Sequence, residues 1–494
     1  MDLIEKYKNY QKKLNNYKYA LFIIEYDNST ICPRLDKEKS AEVSNFYKSK
    51  IIDITHSDEY FLLLKEIIKK HPQKDIMYLS IVKEYEDLCK EKNVPLDLIN
   101  KGFEITSKAT LLWENAQKNL DYSQYEAKLD ELVDYTIKYN SFVVSKYSGY
   151  DICLDLMEKD YVQKNYDILF SRLEVEILPL LKKILAMPKK YNEKIKYLRF
   201  SIEKQKILTS KLCEIMGFNN DFGYVGESLH PFTNSINTND VRITTKYDES
   251  LLFSNIYSIM HEVGHALYEA QGDSIYNDTY LKGGASCAIH ESQSRFYENY
   301  LGRSKGFIKF LYPILIDLFP KLKDYSVDDI YYYCNDVCGQ YYRTEADELT
   351  YPFHVLIRYK IEKLLLSKSI SSSEISSIYN KLFYEYFNIL PPNKKVGCFQ
   401  DIHWCDGFGY FPTYVLGSAI AAMINDLIRN ELDVDLLLEK GNFKPINDWL
   451  KEKIHKYQRS LTNNEVIMKF NNKGFDSDYY INYLKEKFEN IYLK

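Results

Sequence analysis

The chain has no run of 18 consecutive apolar residues. Its start, Met1-Asp2-Leu3-Ile4-Glu5-Lys6-Tyr7-Lys8, lacks the charged-then-apolar order of an export signal. These absences predict a cytoplasmic protein with no membrane partner. A basic excess is missing as well: 65 Lys+Arg against 70 Asp+Glu leave a net charge of −5, which removes the bulk electrostatic case for nucleic acid. No C-x-x-C pair occurs among the 9 cysteines. An odd number of scattered thiols reads as free, buried cysteines in a reducing compartment. Neither βαβ alternation nor an internal repeat is found. Tyrosine is plentiful, at 46 residues, alongside Lys, Asn and Ile. Nucleotide bias in the genome accounts for that, and no function is read from it.

Helical spacing dominates what is present. Residues 1–205 predict helices over 3–26, 36–54, 57–70, 75–92, 96–120, 122–148 and 162–187, with another from 193 to 216, separated by polar breaks such as His71-Pro72. Glycine and asparagine cluster after Phe218. Asp240–Thr245 then alternates polar and apolar residues and predicts a short edge strand, placed to hold an extended peptide by strand addition. A single domain over 1–494 is expected, with a helical part to 205, a core over 206–425 and a helical end over 426–494.

Immediately after the strand comes His261-Glu262-Val263-Gly264-His265, inside a predicted helix 248–271 capped by Asp248. Positions i and i+4 share a helix face, so His261 and His265 point the same way and suit a zinc ion, while Glu262 suits a general base. A further ligand must come from another element. Glu291, near the start of a helix predicted over 286–302, is the choice; Glu298 and Glu269 are its rivals. Six of the 9 histidines lie between His230 and His403, which concentrates the chemistry in the central half. His56, His71 and His455 have no partners in sequence and read as surface residues. A capping box at Ser326 opens a helix expected to carry Tyr342–Glu348 and to be interrupted or kinked at 350–354, around Pro352, before continuing over 355–367. The polar, aromatic, glycine-rich segment 393–414 reads as a site wall.

Several ordered motifs resemble the carboxypeptidase Taq family of metallocarboxypeptidases. They are His230-Pro231-Phe232, Asp240-x-Arg242-x-Thr244, the H-E-x-x-H, His290-Glu291-Ser292-Gln293-Ser294-Arg295, Arg343-x-x-Ala346-Asp347-Glu348-Leu349-Thr350-Tyr351-Pro352, and Gly397-x-x-Gln400-Asp401-x-His403-Trp404. They span about residues 230–417. Two departures occur: Tyr342 stands where the family has isoleucine, and Glu25-Tyr26-Asp27 replaces a Trp-Asp pair. The resemblance implies His261, His265 and Glu291 as metal ligands, one Zn2+ per chain with Co2+ or Mn2+ tolerated, and Glu262 as the catalytic glutamate. It also implies an almost wholly helical, two-lobed fold with a long groove, similar to neurolysin and angiotensin-converting enzyme, and a homodimer.

The expected activity is removal of C-terminal residues from peptides with a free C-terminus, with broad specificity. The resemblance makes Arg343 the candidate for the terminal carboxylate, which an arginine fork suits, the plain alternative being a helix-surface salt bridge to Glu345 or Asp347. Tyr410, Tyr414 and His403 are candidates for oxyanion donors, Tyr410 first among them. His230 is expected to line the groove and Arg242 to fix the strand, with Gln400 and Asp401 as supporting or substrate contacts. An endo-oligopeptidase and a non-catalytic peptide-binding scaffold are the competing readings.

Overall fold

The computed structural model describes residues 2–70 and 75–494. The predicted break at His71-Pro72 and the surface position expected of His71 lie outside the described residues. Helices dominate, and the described strands form a single three-stranded sheet. The chain groups into two compact units. The first comprises Met1–Lys92, Glu193–Val327 and Ile424–Phe475, and the second Asn93–Asn192, Asp328–Met423 and Asp476–Lys494.

In the first unit, Leu3–Thr30 packs with the following helices around Tyr7, Leu14, Tyr60, Leu64 and Ile81. The buried Glu84 carboxyl inside that cluster accepts hydrogen bonds from Tyr7 (2.9 Å), Tyr60 (2.6 Å) and Gln11 (3.0 Å), as polar oxygens away from water require. The sheet consists of β1 (Gly223–Glu227), β2 (Thr233–Asn237) and β3 (Asp240–Thr245), in the order β1-β3-β2. β1 runs parallel to β3, and β2 antiparallel to it.

The strand expected at an edge is therefore central, with both sides already hydrogen-bonded. β2 holds an edge instead. Its sequence, Thr-Asn-Ser-Ile-Asn, is polar and not β-branched enough to announce itself.

The histidine helix runs Leu252–Ala270 and starts later than predicted. Asp248 does not cap it; its carboxylate accepts from the Ser250 amide (2.7 Å) and closes a turn before the helix. Leu252, Ile256, Ile259, Met260, Val263 and Leu267 are all buried, so the apolar stripe faces the core as the spacing predicts. The next helix, Cys287–Arg295, is capped by Ser286, whose hydroxyl accepts from the Ile289 amide (3.2 Å), and continues as a π-helical stretch over Phe296–Gly302. His455, expected at the surface, is fully buried. Its ring nitrogens bond Gln271 (2.8 Å) and Gln293 (2.9 Å), tying together the ends of these two helices. His56 is half-buried beside Glu91.

In the second unit the helix predicted over 122–148 stops at Asn140, and Tyr150–Met157 forms a separate helix. The helix opened by Ser326 is short, Val327–Cys334. Arg343 then lies in a 3-10 turn, Arg343–Glu345, and not on a helix. Pro352 sits in the first turn of Tyr351–Leu366, where its missing N–H costs nothing, so it opens that helix and does not kink it. Among the described helices, Phe411–Glu431 alone is long and apolar enough to cross a membrane, yet most of it is buried inside the protein as a core helix. All nine cysteines are free. Cys153, Cys213, Cys334, Cys398 and Cys405 are buried as expected; Cys32, Cys89, Cys287 and Cys338 are partly exposed.

Candidate active site

His261 and His265 rise from one face of the histidine helix, and Glu291 meets them from the following helix. The Glu291 Oε2 lies 3.7 Å from His261 Nε2 and 3.4 Å from His265 Nε2, and the three donor atoms lie within 4.8 Å of one another. Gly264 permits this approach. A Cβ at that position would stand 2.8 Å from Ser294 Cα and 2.9 Å from the Gln293 carbonyl oxygen, which are backbone atoms of the facing helix.

Charges around the triad fix its chemistry. The Glu291 Oε1 accepts from Arg295 Nε (2.7 Å), and Glu298 Oε2 lies 2.9 Å from His261 Nδ1 and 3.2 Å from Arg295 Nη1. Burial opposes ionisation of both acids. Arg295 and His261 overcome it, holding Glu291 well below the ordinary carboxylate range and Glu298 at about 2. An ionised Glu298 only accepts, so His261 Nδ1 is the donor. That leaves His261 Nε2 as the ring nitrogen facing Glu291 Oε2. Two imidazole nitrogens and a carboxylate oxygen converging in this way form a His/His/Glu donor set that fits a divalent cation.

Glu262, beside the triad, accepts from the Thr233 hydroxyl of β2 (2.6 Å). Burial pushes the Glu262 carboxyl up, against His261 and Thr233, which favour its charge.

One turn after His265, Glu269 takes a different role from the one allowed for it. Its oxygens accept from Ser235 (2.8 Å) and from His290 Nε2 (3.0 Å), and the His290 ring stacks on His265 with centroids 4.4 Å apart. Burial resists the charge on Glu269, but His290 holds its pKa down to about 2. These groups, with Thr233, Asn234 and Lys282, line a cavity of about 280 Å3.

Within the second unit, Arg343 is buried. Its Nε and Nη2 bond Asp401 Oδ1 at 2.9 and 2.8 Å, its Nη1 donates to the Tyr351 hydroxyl (3.2 Å), and its backbone N–H donates to Gln400 (2.6 Å). Asp401 also binds Arg358 through Oδ2 at 2.6 Å, so one carboxylate serves two guanidiniums. Burial works against that carboxylate, and the two arginines hold it well below the usual range. The salt bridge that Arg343 forms is to Asp401. Asp347 instead accepts from the amides of Cys338, Leu349 and Thr350.

His403 Nε2 lies 2.8 Å from the Tyr414 hydroxyl, its ring stacks on Tyr410, and the Arg343 guanidinium sits 4.7 Å from the Tyr414 ring centre. Arg343, Gln400, Asp401, His403, Tyr410 and Tyr414 thus form one cluster. His230 is exposed before β2. Arg242 pairs with Asp240 at 2.9 Å and lies over the rings of Phe22 and Tyr26, tying the central strand to the first helix.

A family model described as carboxypeptidase Taq metallopeptidase matches residues 6–488. The chain belongs to this family. Carboxypeptidase 1 of Bacillus subtilis is 34% identical over 500 residues, covering 98% of this chain and 97% of that protein. Thermostable carboxypeptidase 1 of Pyrococcus furiosus is 36% identical over 401 residues, 80% of each chain. The solved structure of Pyrococcus furiosus carboxypeptidase matches with a TM-score of 0.93 at 30% identity, covering 99% of both chains. A putative oligoendopeptidase F shares the fold alone, with a TM-score of 0.63 at 12% identity over 98% of this chain and 92% of that one. As a member of the carboxypeptidase Taq family, the protein is a metal-dependent carboxypeptidase, a hydrolase of peptide bonds with an almost wholly helical fold.

The supporting roles of several groups escaped the sequence reading. Glu298 was weighed only as a rival ligand and Arg295 only as part of a motif, yet they follow Glu291 by two and one helical turns, so helix periodicity alone places them on its face. Thr233, Ser235, Lys282 and Arg358 carry no comparable local signal, since their partners are distant in the chain.

Proposed function

We propose that this carboxypeptidase binds one zinc ion through His261, His265 and Glu291, with Co2+ or Mn2+ as tolerated substitutes, and removes residues from the free C-terminus of peptides with broad specificity. The observation that carries this reading is the convergence of the three donor atoms beside a buried glutamate held by Thr233. A divalent metal there supplies Lewis-acid polarisation of water and of the scissile carbonyl. Glu262 removes a proton from the attacking water and delivers it to the leaving amine, so the peptide C–N bond breaks as water adds across it. Tyr410, supported by His403 and Tyr414, donates to the developing oxyanion.

Arg343 receives the terminal carboxylate. Among the described residues two buried guanidiniums share one ion-pair partner, Asp401, and that favours an anionic guest. Gln400 holds the Arg343 backbone, Arg242 steadies β3, and His230 shapes the approach to the site. The family resemblance supports a homodimer.

A digest of one long peptide, offered with a free and with an amidated C-terminus, tests the reading. Mass spectrometry should show a ladder of C-terminal losses from the free peptide only. Internal fragments, or undiminished cleavage of the amide, would favour an endo-oligopeptidase. Glu262→Gln should abolish turnover while metal content stays near one ion per chain; an unchanged rate would remove Glu262 from the mechanism.

A further inference from the structure

The polar cavity between β2 and the histidine helix adjoins the triad through two contacts: His290 stacks on His265, and Thr233 bonds Glu262. Its charges are unequally matched. Glu269 is satisfied, because both of its oxygens already accept, one from Ser235 and one from His290. Lys282 is not. Its ammonium donates to the neutral Ser235 carbonyl (3.1 Å) and forms no ion pair among the described residues. An ammonium has three donors, so two are left for a guest.

The surrounding charges do not remove this imbalance. Asp240 acts on Lys282 but is paired with Arg242. Lys18, on the first helix, repels it. Burial, above all, holds the Lys282 pKa below its ordinary value; Glu269 acts against that lowering and Lys18 adds to it.

We propose that this cavity is a carboxylate-binding subsite for the peptide substrate, with Lys282 as the group that receives the anion. A carboxylate fits better than a cationic side chain because both Glu269 oxygens already accept, from Ser235 and His290, whereas the Lys282 ammonium keeps donors to offer. The carboxylate is that of an acidic side chain close to the cleaved bond, since the chain terminus is assigned to Arg343. This proposal rests on the peptidase reading and makes Lys282 a specificity-determining residue within it.

The test compares the wild type with Lys282→Met, Lys282→Glu and Lys282→Arg. Substrates are alanine-based peptides carrying Glu or Gln in turn at the last three positions. A hydrogen bond to a charged group predicts a loss of about tenfold or more in kcat/KM on removing the ammonium. If an acidic side chain is the guest, the Glu-over-Gln preference at one position falls by that factor in Lys282→Met, reverses in Lys282→Glu and survives in Lys282→Arg, while the all-alanine peptide is unaffected. A uniform loss on every free-terminus peptide, including all-alanine, would instead place the chain terminus at Lys282 and overturn the proposal. Unchanged ratios together with unchanged all-alanine turnover would overturn the proposal.

A second measurement does not depend on turnover. Calorimetry with N-acetylglutamate and N-acetylglutamine should show the acid binding more tightly to wild type than to Lys282→Met; equal binding to both proteins counts against the subsite. Failure of the peptidase reading looks different, because the wild type would then produce no C-terminal ladder from any of the peptides.

Discussion

The bond from His261 to Glu298 decides which imidazole nitrogen faces Glu291, so the metal centre depends on an acid that is not in the triad. Removing such an orienting carboxylate typically weakens metal binding by about 10–100-fold. Glu298→Ala should show that loss in a chelator competition titration, with helical content unchanged; an unaltered affinity would mean that the ring is oriented by packing alone. The Thr233 hydroxyl acts on Glu262 in a comparable way. A donor to a carboxylate favours its charged form, so Thr233→Val should raise the Glu262 pKa. The acid limb of the kcat/KM profile should therefore move to higher pH, and a stationary limb would separate Thr233 from the base. The i, i+4 histidines and the neighbouring glutamate were legible because helix geometry alone relates them. Glu298 was visible only as a rival ligand. Thr233 was invisible, since its partner lies 29 residues away and its strand is polar.

At the scale of elements, the triad closes because two helices touch at Gly264. Overpacking of this kind typically costs about 1–3 kcal/mol. Here the obstructing atoms are backbone, so side-chain rearrangement cannot relieve the contact. Gly264→Ala should lower the melting temperature and reduce metal retained after dialysis more than an alanine substitution at the exposed Asn239 does. Equal retention would show that the helices can part without opening the site. Periodicity located most helices to within a few residues, yet it misplaced the Arg343 segment. Polar residues at 342–348 look helical on a solvated face, whereas Arg343 leaves the helix to reach Asp401, a partner 58 positions on. β1 and β2 were missed for a related reason: they are short and rich in Gly, Asn and Ser, and pairing with β3 holds them in place.

At the scale of the molecule, fold class was readable from helical spacing together with the ordered motifs, while stability rests on buried groups that no motif marks. Glu362 is an example in the second unit. Burial pushes its carboxyl from 4.5 up to about 8, against the Tyr150 hydroxyl and the Gly409 amide, and its Oε1 has no partner among the described residues. The folded state therefore holds this proton more tightly than the unfolded chain does. Its contribution to stability is full below about 4.3 and is lost as pH rises toward 8. Glutamine mimics the neutral acid, so the melting temperature of Glu362→Gln relative to wild type should climb between pH 5.5 and pH 8. A constant difference across that range would mean that Glu362 is already ionised in the folded protein.

The contact at Gly264 also has a genetic reading. Each single-base change in a glycine codon that alters the residue adds a Cβ or ends the chain. The helix crossing that brings the triad together therefore has no neighbouring allele that preserves it. In a mutagenised population selected for peptide hydrolysis, that codon should tolerate only synonymous change.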